Sequence, residues 1–165
     1  MLVTVISLFV TALLVLLVLK ATGVSGSGTS GTPSQSVALA DDVQAQQNLS
    51  QGVSTLQQTD PAGQGSVDAA ALQSANPSVT YTTGASLNPS TISVNPQSDG
   101  RSVALADRST DGTCWVVWWS PTAGTWYGAQ TGLSSCTAPS LSGPPTAGPV
   151  SGSAIGWQQV TFPTS

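Results

Sequence analysis

No charged residue interrupts the chain from Leu2 to Leu19, and Lys20 closes that apolar run. Eighteen residues in helical form rise roughly 27 Å, close to the ~30 Å hydrocarbon core of a bilayer. Thr4, Ser7 and Thr11 are its only polar side chains, and their hydroxyls can bond back to helix carbonyls. A cleavable signal peptide is the rival, but the run lacks a basic start, is long, and has Lys20 where a cleavage region should begin. The expectation is a single-pass transmembrane helix over residues 1–20, with the lipid bilayer as its first partner.

Beyond Ala21 the chain is soluble in character. Its length suffices for one small domain. It contains no His and no Glu; seven Asp are its acids, and Arg101 and Arg108 are its only cations after Lys20. Nucleic acid is excluded as a partner, because displacing its counterions takes clustered Lys and Arg. Two cysteines, Cys114 and Cys136, read as a disulfide if the domain lies outside the membrane, and as two buried thiols if it lies in the cytosol. The bridge would close a loop of 23 residues, worth roughly 3 kcal/mol in the chain-entropy model. Lys20 alone favours a cytoplasmic C-terminal flank by the positive-inside rule, while the cysteines favour the exterior. The cysteines are given more weight, which places the domain outside the cell membrane.

Residues 21–35 form a Gly/Ser/Thr linker. From Ser36 to Gln58, Leu39, Val43, Gln46, Leu49, Val53 and Leu56 recur at three- and four-residue steps, which predicts an amphipathic helix with Asp41 and Asp42 near its positive end. Gly52 weakens that helix. Thr59 to Gly63 is a turn, and a second helix is expected over Val67–Ser74, with Ser66 as N-cap and Asp68 in its first turn. From Ser78 the period drops to two. Residues 79–82, 91–94, 102–106 and 114–119 read as strands, and a turn at 120–124 leads into 125–128. A Gly/Pro stretch over 139–149 precedes a last aromatic segment, Ile155 to Phe162. The order predicts an α+β fold in residues 36–165, a helix packed on an antiparallel sheet.

Alternation from Cys114 places Trp118 with Cys114 and Val116 on one face, and Trp115, Val117 and Trp119 on the other. One face should pack on the helix around Leu49, Val53 and Leu56. The other is either covered by the segment bearing Trp157 and Phe162 or left as a contact patch. Trp115, Trp119, Trp126, Tyr127 and Trp157 are the candidate contact surface, able to stack on a sugar or a partner protein, and the favoured alternative is that the tryptophans are simply the core of a small domain. Asp107, Asp111 and Asp99 read as turn residues rather than ligands, since the Asp-x-Asp-x-Asp-Gly pattern of a Ca²⁺ loop is missing. No serine has a His or Lys partner to activate it, so the sequence offers no catalytic residue, metal site or cofactor.

The order of these features resembles the type IV pilin and pseudopilin family, particularly its small Ser/Thr/Ala-rich actinobacterial members. The resemblance is carried by ADDVQAQQNLSQGVSTLQQ (40–58), DAAALQSANPSVTYTTG (68–84), DGTCWVVWW (111–119), WYG (126–128), SCTAP (135–139) and GWQQVTFP (156–163). It implies a pilin-like exported domain whose partners are other pilin-like subunits or assembly-platform proteins. The chain departs from the family at the start. Val5 and Ile6 stand where family members carry a Glu that pairs with a neighbouring amino terminus. For the family's basic leader ending in Gly two readings stand: it lies upstream of Met1, or the protein is an unprocessed pilin-like one. The expectation is a membrane-anchored structural, assembly or adhesion component of a pilus or secretion-like system. The rival is a tethered extracellular binding domain that uses its aromatic face on a cell-wall glycan or protein.

Overall fold

The computed structural model describes residues 33–164. The apolar run and most of the linker, with the expectations that fall on them, lie outside these residues. Among the described residues no helix is long and apolar enough to cross a membrane.

Helix α1 spans Pro33–Thr59. It begins three residues before the predicted start, because proline suits the first helical position, where its missing N–H is not needed. Ala45, Leu49, Val53 and Leu56 are buried along one stripe, as the periodicity requires. Leu39 and Val43, predicted to continue that stripe, are instead 68% and 47% exposed. Gly52 sits where the helix comes closest to the sheet: a Cβ there would lie 2.9 Å from Leu105 Cδ1 and 3.5 Å from Ile92 Cδ1. Its helix-propensity cost is the condition of that approach.

Helix α2 covers Ala69–Ala75, and its N-cap is Asp68 rather than Ser66. The Asp68 carboxylate accepts from the Ala71 amide at 2.8 Å. Val67 before the cap and Leu72 at the fourth helical position are both buried in the core, the placement of a hydrophobic staple.

Six strands complete the domain: β1 (Thr80–Thr82), β2 (Thr91–Pro96), β3 (Val103–Arg108), β4 (Cys114–Ser120), β5 (Gly124–Gln130) and β6 (Gly156–Gln159). They form one sheet in sequence order. All neighbours are antiparallel except β1 and β2, which pair in parallel. The connection between those two makes no hairpin. Ser86 pairs its backbone with Cys136 instead, so the chain loops back and β2 leaves from the same end as β1.

Two cores flank the sheet. Trp115, Val117 and Trp119 pack with Leu49, Val53 and Leu56 of α1. Cys114, Val116 and Trp118 face the other way and pack with Cys136, Ala138 and Trp157. The alternation read from Cys114 therefore holds along the whole strand. Trp157 and Phe162 part company: Trp157 covers the second face, whereas Phe162 packs against the helix-side core. β6 ends at Gln159 and Val160 follows with a φ of 81°, so the alternation of the strand does not carry on to Phe162.

Candidate functional site

The aromatic residues are the leading site candidates, and the structure divides them. Trp115, Trp119 and Trp157 are 2%, 5% and 7% exposed and belong to the cores. They do not form an open stacking face: Trp115 and Trp119 lie on β4, central in the sheet and covered on both sides, and Trp157 of β6 packs into the second core. Trp126 and Tyr127, on β5, are half-buried. Tyr127 is met edge-on by Phe162 at 4.8 Å, and Phe162 also meets Trp115 at 5.7 Å. Trp157 lies over Gly128, its register partner, where a Cβ would come within 2.8 Å of the indole. That contact gives the glycine of the Trp-Tyr-Gly segment its reason.

Cys114 and Cys136 form a disulfide with a Cα–Cα distance of 5.2 Å. It pins the segment after β5 to the start of β4. Ser93, Asn95 and Gln97, three alternate residues of β2 and its extension, then hold that segment over the second face. Ser93 Oγ accepts from the Ala138 amide at 3.0 Å, and Asn95 Nδ2 donates to the Ala138 carbonyl at 3.2 Å. Gln97 donates to the Pro139 carbonyl at 3.1 Å and accepts from the Leu141 amide at 2.6 Å. The Gly/Pro stretch thus starts as a docked strap. Its backbone polar groups are paired by side chains, which hydropathy and turn patterns do not reveal.

Asp41 and Asp42 do not serve the helix terminus. Pro33 starts the helix early enough to leave no acid in its first turn. Instead, Asp42 accepts from the Trp115 indole N–H at 2.9 Å, and Asp41 accepts from the Thr110 hydroxyl. Both fasten α1 to the end of the sheet where β4 begins.

Asp107 is the largest departure from the sequence reading. Predicted in a turn, it is a fully buried residue of β3. Its carboxyl accepts from Ser86 Oγ at 3.1 Å, Asn48 Nδ2 at 3.2 Å and the Arg108 amide at 2.9 Å. Asn48 also donates to the Pro89 carbonyl at 2.5 Å and accepts from Gln44 Nε2 at 2.9 Å. One carboxyl therefore joins α1, the β1–β2 loop and β3. Burial pushes its pKa up to about 7, although Asn48, Ser86 and the Arg108 amide all favour the charged form. Ser86 Oγ also lies 3.2 Å from the Asn88 carbonyl, so its hydroxyl can turn there and accept a hydrogen bond from a neutral Asp107. The node keeps its partners in either protonation state.

The other acids behave as turn residues. Asp99 accepts from the Arg101 and Ser102 amides at 2.9 and 2.8 Å, and bonding to Ser102 holds its carboxyl below the usual range. Asp111 accepts from the Thr113 amide at 2.8 Å. Among the described residues no three His, Cys, Asp or Glu side chains lie close enough to hold a metal ion. The grooves are open; one, of about 410 Å³, lies between the two helices along Ser50, Ser54, Gln58 and Asn76.

Both edges of the sheet are closed. Gln73 of α2 donates to the Val79 carbonyl at 3.0 Å and accepts from the Tyr81 amide at 2.9 Å, as a neighbouring strand would. At the other edge the Gly148 amide donates to the Trp157 carbonyl at 3.1 Å.

Comparison with protein-family models, curated proteins and solved structures gives no match for this chain. The architecture itself is pilin-like: an N-terminal helix packed on an antiparallel sheet, with a disulfide.

Proposed function

We propose that the chain is a membrane-anchored, pilin-like subunit whose domain lies outside the cell and acts in structure, assembly or adhesion. Residues 1–20 hold it in the bilayer, and its work is packing rather than catalysis. The observation that carries this reading is the placement of α1. A helix that follows a bilayer-length apolar run lies along a mostly antiparallel sheet, whose far segment is strapped down by the Cys114–Cys136 bridge. Such a domain presents a rigid surface at the end of a tether.

An aromatic ligand face is the weaker reading, since burial of Trp115, Trp119 and Trp157 removes three of its five side chains.

Mass spectrometry of the protein taken from its native membranes tests the assembly side. A methylated amino terminus exposed by a cut after glycine supports pilin processing, and a retained Met1 contradicts it. Cross-linked ladders in intact cells support subunit contact; a monomer at native expression argues against it.

A further inference from the structure

The two ends of the domain differ in what they expose. Asp42 meets Trp115 near the beginning of β4, and Gly63, beyond the end of α1, meets the Pro121 ring beyond the end of β4. Helix and strand therefore run side by side, and the domain has a proximal end, where α1 enters, and a distal one.

Five large apolar side chains stand exposed among the described residues: Val37, Leu39, Val43, Leu87 and Val160. The first four belong to the proximal end. Val37, Leu39 and Val43 lie on the opening turns of α1. Leu87 comes directly after Ser86, in the loop that Asn48 and Asp107 hold against the helix. Residues 37–40 read Val-Ala-Leu-Ala, and Val37, Leu39 and Ala40 are exposed although they point in different directions around the helix. Exposed apolar side chains on such a turn, beside Ser36 and Asp41, are stabilised when they are removed from water.

The ends do not differ in charge as they do in apolar exposure, since the charged side chains of both are tied into local hydrogen bonds. At the proximal end Asp41 is bonded to Thr110, Asp42 to Trp115 and Asp107 to Asn48 and Ser86, while Arg108 Nη2 donates to the Leu133 carbonyl and Asp111 is bonded to Ser109 and Thr113. Asp60, Asp99 and Arg101 lie in the turns of the distal end. Pro33 is joined to the apolar run by twelve residues, Ala21 to Thr32. Covalent geometry limits the reach of twelve residues to roughly 40 Å at most. That is short enough to keep α1 at high local concentration beside any surface that holds the run.

We propose that the proximal end, through Val37, Leu39, Val43 and Leu87, rests against the lipid surface and fixes the orientation of the domain on the membrane. This rests on the membrane-anchor reading above.

The test uses the full chain reconstituted in phosphatidylcholine vesicles, with a polarity-sensitive fluorophore on Leu39→Cys, and in a second preparation on Thr122→Cys in the distal β4–β5 turn. Disulfide mapping confirms that Cys114–Cys136 is kept. The proposal expects the label at 39 to shift to the blue and be quenched by brominated lipid, and the label at 122 to stay water-like. If the protein floats with the vesicles but both labels remain water-like, the lipid contact is overturned while the anchor stands. If the protein does not float, both fall. Protection at 39 that is lost on dilution into excess lipid overturns the proposal in favour of contact with a second copy.

Discussion

The Trp115 indole N–H donates to the Asp42 carboxylate across 2.9 Å, joining the third turn of α1 to the central strand of the sheet. Trp115 is 2% exposed, so its N–H has no recourse to water. Truncating the acceptor leaves a buried donor unpaired, which costs about 1–3 kcal/mol. Asp42→Ala should lower the denaturation midpoint accordingly, and Asp42→Asn, which keeps an acceptor oxygen, should lose less. Equal midpoints for wild type and Asp42→Ala would show that the bond does not fasten the helix.

Asp107 gives the fold an inverted pH dependence. Its folded pKa, about 7, lies above the ordinary carboxyl value of 3.8, so the native state holds a proton that the unfolded chain has released. This contribution is complete below pH ~4 and is lost as pH rises through about 7. Thermal unfolding of the wild type between pH 5 and pH 8 should show a falling midpoint. Asp107→Asn, which mimics the neutral acid, should show a much flatter profile. Parallel profiles would mean that another group titrates.

Most of the framework was legible in the sequence. Five of the six strands, the long helix and the two faces of β4 come from periodicity and turn residues, because those signals are local; β6 lies in the stretch read only as a last aromatic segment. Asp107 was misplaced because Asp-Arg-Ser-Thr-Asp-Gly reads as turn from end to end. Only the tertiary positions of Asn48 and Ser86 show that a carboxyl can be satisfied inside. The parallel pairing of β1 escaped for the same reason: the bridge that redirects the loop joins Ser86 to the distant Cys136. Leu39 and Val43 carried the right period, but periodicity does not say how far along a helix the sheet extends. For Trp115, Trp119 and Trp157 the sequence leaves core and contact surface both open, with core favoured, and the strand order buries them.

Gln73 closes the β1 edge by imitating a strand. Unpaired strand edges template association. Gln73→Ala should therefore make the protein associate as its concentration rises, measured by light scattering at matched stability. A monodisperse variant at high concentration would show that the three-residue edge needs no cover.

Gly128 leaves room for Trp157 and Ile155; a Cβ would stand 2.7 Å from Ile155 Cγ2. Gly128→Ala should destabilise the domain by about 1–3 kcal/mol through overpacking. Chemical denaturation reads this directly. An unchanged midpoint would mean that Ile155 and Trp157 move aside freely.

The proposed role depends above all on one placement: a domain outside the membrane, held by residues 1–20. Proteinase K added to intact cells stripped of their wall tests it most directly. Cleavage between the apolar run and α1 should release a soluble fragment carrying an oxidised Cys114–Cys136 pair, leaving the run in the membrane. A chain that stays whole until the cells are lysed, with both cysteines reduced, would contradict it.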